Sequence, residues 1–215
     1  MESSVRRFFL VLLGSAFLFS ACGSSNATPA PAAPATPAVT PTDAPTVVET
    51  ASPVVVVAPT NAGLDGDWVT LAPDAAGFSA KFPATPTLTT QTAKTDVGDA
   101  PTSLWTFEQG GNLAYYVLVT NYPKGSLATA NVSTMYDAAI KSLTGGTSEL
   151  ALAGTLDLAL NGHAGRTFLL TSALGSLKGG VWIVGDNMYV VYVSFTSSVD
   201  PGLVDTFLSD FQLTV

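Results

Sequence analysis

The chain predicts an α+β domain, an antiparallel β-sheet flanked by two main helices, with a signal peptide and a proline-rich segment ahead of it. Three observations predict this class. Strand-length apolar segments separated by turn residues run from Asp67 to Asn121 and resume after Glu149. Two stretches, opening at Asn131 and Asp200, instead repeat apolar residues at helical spacing. The strands come in runs and do not alternate with helices, which favours an antiparallel sheet.

The first elements are short. Asp67–Leu71, Phe78–Phe82, Thr87–Lys94 and Ser103–Glu108 each have strand length. Leu113–Asn121 is apolar on both faces: Leu113, Tyr115, Val117 and Val119 on one, Ala114, Tyr116 and Leu118 on the other. A strand of that kind is central and covered on both sides, so a helix is expected on each side of the sheet. The first helix places Val132, Met135, Tyr136, Ala139, Ile140 and Leu143 on one stripe, with Asn131 as N-cap and Gly145-Gly146 as stop. Glu149–Leu160 alternates less cleanly and is expected to form one or two strands. A turn over Asn161–Arg166 then leads into a strand over Thr167–Ser172. Lys178-Gly179-Gly180 is read as a loop. Val181–Val184 and Met188–Phe195 read as a hairpin across the three-residue loop Gly185-Asp186-Asn187. The closing helix opens on Asp200-Pro201, a cap followed by proline at the first position, and carries Val204, Phe207, Leu208 and Phe211 on one face.

The N-terminus reads differently. Arg6 and Arg7 precede an apolar run over Phe8–Phe19, and Ser20-Ala21 stand before Cys22, the single cysteine. A charged start, a short apolar core and small residues before a cut make a secretory signal over Met1–Ala21. The run of about a dozen residues is shorter than the about 20 that span a bilayer. Leu18-Phe19-Ser20-Ala21-Cys22 resembles the bacterial lipoprotein pattern, in which the cysteine is acylated and the chain is cut before it. Phe19 stands where an aliphatic residue is usual, which leaves a shifted cut open. The alternative is an ordinary secreted chain with an incidental cysteine. Several acyl chains on Cys22 would anchor the protein stably in a membrane. No thiol would then remain for a disulfide, a nucleophile or a metal.

Cys22–Ala62 is expected to be a disordered Pro/Ala/Thr-rich linker. Pro29, Pro31, Pro34, Pro37, Pro41, Pro45, Pro53 and Pro59 exclude a helix or a central strand. Fully extended at ~3.1 Å per residue, it would reach on the order of 120 Å. That length fits either a stalk that lifts the domain off the membrane or a passive tether. Val54–Val57 is its one apolar run and a candidate extra edge strand. Gly63–Val215 forms the single globular domain.

Charge narrows the partners. The chain has net charge −8, and removal of Met1–Ala21 takes away Arg6, Arg7 and Glu2 to leave −9. Such a surface disfavours nucleic acid and attachment to anionic lipid through a basic patch.

Catalytic and metal motifs are sparse. His163 is the only histidine, and there is no Gly-x-Ser-x-Gly elbow to go with it. One histidine cannot build a histidine metal site. Asp65-Gly66-Asp67 lacks the rest of a calcium loop and reads as a polar turn into the first strand. No catalytic residue, metal or cofactor is assigned. Trp68, Trp105, Tyr115, Tyr116, Tyr122, Trp182, Tyr189 and Tyr192 concentrate on strands and are expected mostly in the core, although some could line a ligand cleft. Tyr122 and Lys124, at a strand end, are the expected exposed rim. Arg166, the one arginine after processing, is a candidate anchor for a partner carboxylate.

Several stretches carry a family resemblance. They are Gly77-Phe78-Ser79-Ala80-Lys81-Phe82-Pro83 with Pro86, the Gly162-His163-Ala164-Gly165 turn, Met188–Val193, and Phe207-Leu208-Ser209-Asp210-Phe211. In this order they resemble the PsbP-like family, α/β/α sandwiches named for an extrinsic photosystem subunit, whose fold a small Ran-binding import factor shares. The whole chain also resembles bacterial lipoproteins with a Pro/Thr stalk before such a domain. The resemblance implies a non-catalytic binding or assembly protein, and no functional residue of the family maps onto this chain. The leading expectation is therefore a lipid-anchored extracytoplasmic module that contacts an envelope protein. A small-ligand receptor with an aromatic pocket and a hydrolase with an unrecognised site are the alternatives.

Overall fold

The computed structural model describes residues 68–145 and 149–215. The signal peptide, Cys22, the linker, Val54–Val57 and Asp65-Gly66-Asp67 lie outside the described residues. Ten strands and two helices are described: β1 (Val69–Leu71), β2 (Phe78–Phe82), β3 (Thr87–Thr95), β4 (Gly98–Gln109), β5 (Leu113–Asn121), α1 (Val132–Ser142), β6 (Ala151–Leu160), β7 (His163–Thr171), β8 (Ser176–Val184), β9 (Asn187–Phe195), α2 (Pro201–Asp210) and β10 (Gln212–Leu213). A seven-stranded antiparallel sheet runs β3-β4-β5-β9-β8-β7-β6, and a smaller one runs β1-β2-β10. The α+β expectation with an antiparallel sheet and two helices holds.

Alternation along the central strands splits the core in two. Ala114, Tyr116 and Leu118 of β5 join Val190 and Tyr192 of β9 on the face that α1 covers with Tyr136, Ala139 and Ile140. Tyr115, Val117 and Val119 point the other way. There, α2 supplies Val204 and Phe207, and the small sheet supplies Phe78, Ala80, Phe82 and Leu213. With helices or a second sheet on each side, β5 can be apolar throughout without exposing a face.

The helices start where the sequence signals. Asn131 accepts from the Thr134 N–H at 3.2 Å, and Asp200 accepts from the Gly202 N–H at 2.9 Å ahead of Pro201. Each cap satisfies a donor that the first helical turn cannot pair internally.

Four expectations change. β4 extends back to Gly98 because β3 pairs with it down to Thr95↔Gly98. Pro101 is tolerated because the ladder to β5 begins only at Thr102. The expected Asn161–Arg166 turn is only Asn161-Gly162, and β7 starts at His163. Positive φ at both positions, 51° and 84°, is the two-residue turn whose twist suits a hairpin. The β8–β9 loop is likewise two residues, since Val184 pairs with Asn187. Finally, Lys178-Gly179-Gly180 lies within β8 and is no loop. A Cβ on Gly179 would meet the Val191 carbonyl and Tyr192, and one on Gly180 would meet the Trp182 ring. The bare backbone makes room for two large rings in mid-sheet.

Candidate functional site

The residues expected to make contacts do not converge. Tyr122, expected on an exposed rim, is 8% exposed and sits in the α1-side core. Its N–H donates to the Asp186 carbonyl at 2.8 Å, and Gly125 N–H donates to Asp186 Oδ2 at 2.8 Å. Those bonds pin the loop after β5 onto the β8–β9 hairpin and turn the Tyr122 ring inward. Lys124 on the same loop is exposed.

Arg166 lies elsewhere, in a row with Val181, Val190 and Leu118. Three strand spacings, about 14 Å, separate it from β5. Its guanidinium is already engaged. Nε donates to Asp157 Oδ1 at 2.8 Å on β6, Nη1 to Asp137 Oδ1 at 2.5 Å on α1, and Nη2 to Ser133 Oγ at 3.3 Å. The group stands 5.7 Å from the Tyr136 ring centroid, and the Tyr136 hydroxyl donates to the Ala164 carbonyl at 2.8 Å. The Asp157 hydrogen bond leads in holding the guanidinium pKa above its ordinary value. One arginine thus ties β7, β6 and α1 together.

The aromatics mainly fill the two cores. Tyr116 and Tyr192 stack at 4.5 Å on the α1 side. Tyr115 packs 4.9 Å from Phe207 and 5.7 Å from Trp68 on the other side. Burial pushes the Tyr115 hydroxyl up to about 12, and burial also raises Tyr116 and Tyr192. His163 is half-buried at the start of β7, opposite Leu160.

The surface that local sequence signals missed is β6. It is last in the strand order, pairs only with β7 among the described residues, and is solvent-exposed from Ala151 to Ala159. A bulge between Leu152 and Gly154 shifts its register. Beyond the bulge, Asp157 pairs opposite Arg166 on the α1 face. Leu156 and Leu158 stand opposite Thr167 and Gly165, on the α2 face. They are 67% and 47% exposed, and Leu152 is 55% exposed. Leu160, next in the row, packs against the α2-side core. The apolar row therefore runs along the outermost described strand, from Leu160 against the core to the exposed Leu158 and Leu156.

The opposite edge differs in chemistry. β3 reads Thr-Leu-Thr-Thr-Gln-Thr-Ala-Lys-Thr, with Leu88 its one large exposed apolar residue. Lys94 pairs with Asp99 at 2.7 Å beside it. Polar side chains and a lysine are the usual protection of a sheet edge; β6 has neither lysine nor proline.

Among the described residues no helix is long and apolar enough to cross a membrane. No protein family and no curated protein matches the chain. Among solved structures, the solution structure of cyanobacterial PsbP (CyanoP) from Synechocystis sp. PCC 6803 is similar at TM-score 0.48 and 11% identity, over 68% of this chain and 92% of that one. The crystal structure of PA94, a protein of unknown function from Pseudomonas aeruginosa, is similar at TM-score 0.36 and 10% identity, over 64% and 88%.

Proposed function

We propose that this protein is a non-catalytic, lipid-anchored extracytoplasmic binding and assembly module. Cys22 carries the acyl anchor, the proline-rich segment sets the domain's distance from the membrane, and the β6 edge is the contact surface. The observation that carries this reading is the exposed leucine row on a strand edge that no described strand pairs and that carries neither lysine nor proline. Contiguous apolar surface of this kind marks contact sites in soluble domains. A free edge also offers a ladder of backbone donors and acceptors to an incoming strand.

Crosslinking in intact cells, followed by capture and mass spectrometry, tests it. We expect one discrete crosslinked species, lost in Cys22→Ser, where the anchor is gone, and in Leu158→Lys, where the edge is charged. Recovery of the uncrosslinked chain alone, under conditions that crosslink a known envelope complex, overturns the proposal.

A further inference from the structure

We infer that Val54–Val57 of the proline-rich segment pairs with β6 as an antiparallel edge strand and covers Leu156 and Leu158, so that an incoming partner strand must displace it. The inference deepens the assembly reading by giving the regulation of its contact surface. It rests on that reading only for what the uncovered edge does.

Reach, charge and proline spacing select this occupant. The described residues begin at Trp68, whose ring lies 5.7 Å from that of Tyr115 in the α2-side core. Tyr115 stands in a row with Val193, Lys178, Leu169 and Gly154. Four strand spacings, about 19 Å, therefore separate it from the start of the regular part of β6. The nine residues from Pro59 to Trp68 span up to about 30 Å when extended. A tether this short holds the valines near the edge at an effective concentration on the order of millimolar, which favours them over a free molecule.

Charge is neutral to this segment. Asp137 and Asp157 share Arg166, which leaves one negative charge in excess beside the edge. Residues 50–64 contain no charged side chain and set no like charge against it. Four consecutive valines supply apolar cover for the exposed leucines and favour an extended backbone.

The prolines fix the register. A two-residue turn closes β6 and β7 at Leu160↔His163, so Leu160, Leu158 and Leu156 turn their backbone bonds toward β7. Thr155, Asp157 and Ala159 turn theirs to the edge. Pro53 and Pro59 have no N–H, and Val54, Val56 and Ala58 are the alternate residues between them. Pairing Val54 with Ala159, Val56 with Asp157 and Ala58 with Thr155 fills all three outward positions and leaves both prolines where no donor is needed. The same register sets Val55 opposite Leu158 and Val57 opposite Leu156 on the α2 face. It also sets Pro59 opposite Gly154, the end of the strand nearest Trp68. A slip of one residue puts a proline opposite Ala159 or Thr155, where a donor is needed. A slip of two puts a proline opposite Leu158 or Leu156.

Disulfide trapping in the full chain carrying Cys22→Ser, which has no other cysteine, tests the pairing directly. Val55 and Leu158 would form a non-hydrogen-bonded pair with Cα atoms about 4.5 Å apart, a separation that a disulfide bridges. We expect Val55→Cys with Leu158→Cys to oxidise within one chain at least ~10-fold faster than Val55→Cys with Leu88→Cys. Leu88 is a strict control, because β3 lies only two strand positions from β5. Hydrogen exchange should show the Thr155, Asp157 and Ala159 amides protected. Val55→Asp with Val57→Asp should expose them and raise the yield of the crosslinked envelope species in cells, and thermal melts confirm that the domain stays folded. Equal oxidation at the two edges overturns the inference, as do freely exchanging β6 amides. A disulfide formed between two chains overturns it too, because a second copy would then supply the strand. If the edge is free in the purified chain while cells yield the envelope crosslink, the linker cover fails and the assembly reading stands. If the cover forms but Val55→Asp with Val57→Asp yields no envelope species, the assembly reading fails and the pairing stands.

Discussion

Tyr115 holds a hydroxyl with no hydrogen-bond partner among the described residues, in a side chain with no exposed surface. Burying an unpaired hydroxyl costs stability, and the same burial raises its pKa from 10.0 to about 12. Below pH 10 the phenol is neutral in both folded and unfolded chains and adds no pH dependence. Between pH 10 and 12 the unfolded chain ionises first while the folded chain keeps its proton, so stability falls as pH rises. Tyr116 and Tyr192 are raised by burial as well and steepen that loss. Tyr115→Phe should therefore raise stability at neutral pH by about 1 kcal/mol and flatten the alkaline decline. Urea unfolding at pH 7 and above pH 10 measures both. A phenylalanine variant less stable than the parent would mean that the hydroxyl has a partner.

Strand β8 shows how an element can look unlike itself in isolation. Lys178-Gly179-Gly180 has the composition of a loop, yet it lies in the ladder between β7 and β9. The reason is in the neighbouring strand: Gly179 pairs opposite Tyr192, whose ring stacks on Tyr116. Gly179→Ala should cost roughly 1–3 kcal/mol, the range for overpacking a filled site. Gly154→Ala on β6, where an added Cβ meets nothing within 4 Å, is the matched control and should be neutral or mildly stabilising. Thermal unfolding of the pair distinguishes a packing requirement from a general cost of losing strand glycines. Local signals served better where the chemistry is local. Asn131 and Asp200 were legible as caps because a capping side chain bonds a donor two or three residues along.

The described domain is layered, and Phe207 joins the layers on the α2 side. Its ring lies 5.2 Å from Phe82 of the small sheet and 4.9 Å from Tyr115 of the large one. Phe207→Ala should cost about 3–5 kcal/mol. Hydrogen exchange should show β1, β2 and β10 losing protection before the β5–β9 pair, because the small sheet reaches the large one through this core. Uniform loss across both sheets would show that the two layers unfold as one unit. At the same scale, Arg166 ties α1 to the β6 edge through Asp137 and Asp157, a role that no spacing along the chain announces.

Composition and periodicity by themselves determined the α+β class, both helix stripes apart from Val132, which stands exposed, and Phe211, which lies just past its helix, the bounds of β2 and β5, and the central place of β5. Each rests on contacts within a few residues or on which faces of one element are apolar. They also supplied the signal-peptide and Cys22 expectations, which rest on short-range pattern. Only the tertiary structure decided which strand lies at an edge, that Tyr122 turns inward, that Arg166 is spent on Asp137 and Asp157, and that Leu156 and Leu158 stand bare. An alternating apolar row reads the same in a covered strand and an uncovered one. The difference lies in strand order, which is set by pairings between residues far apart in the chain.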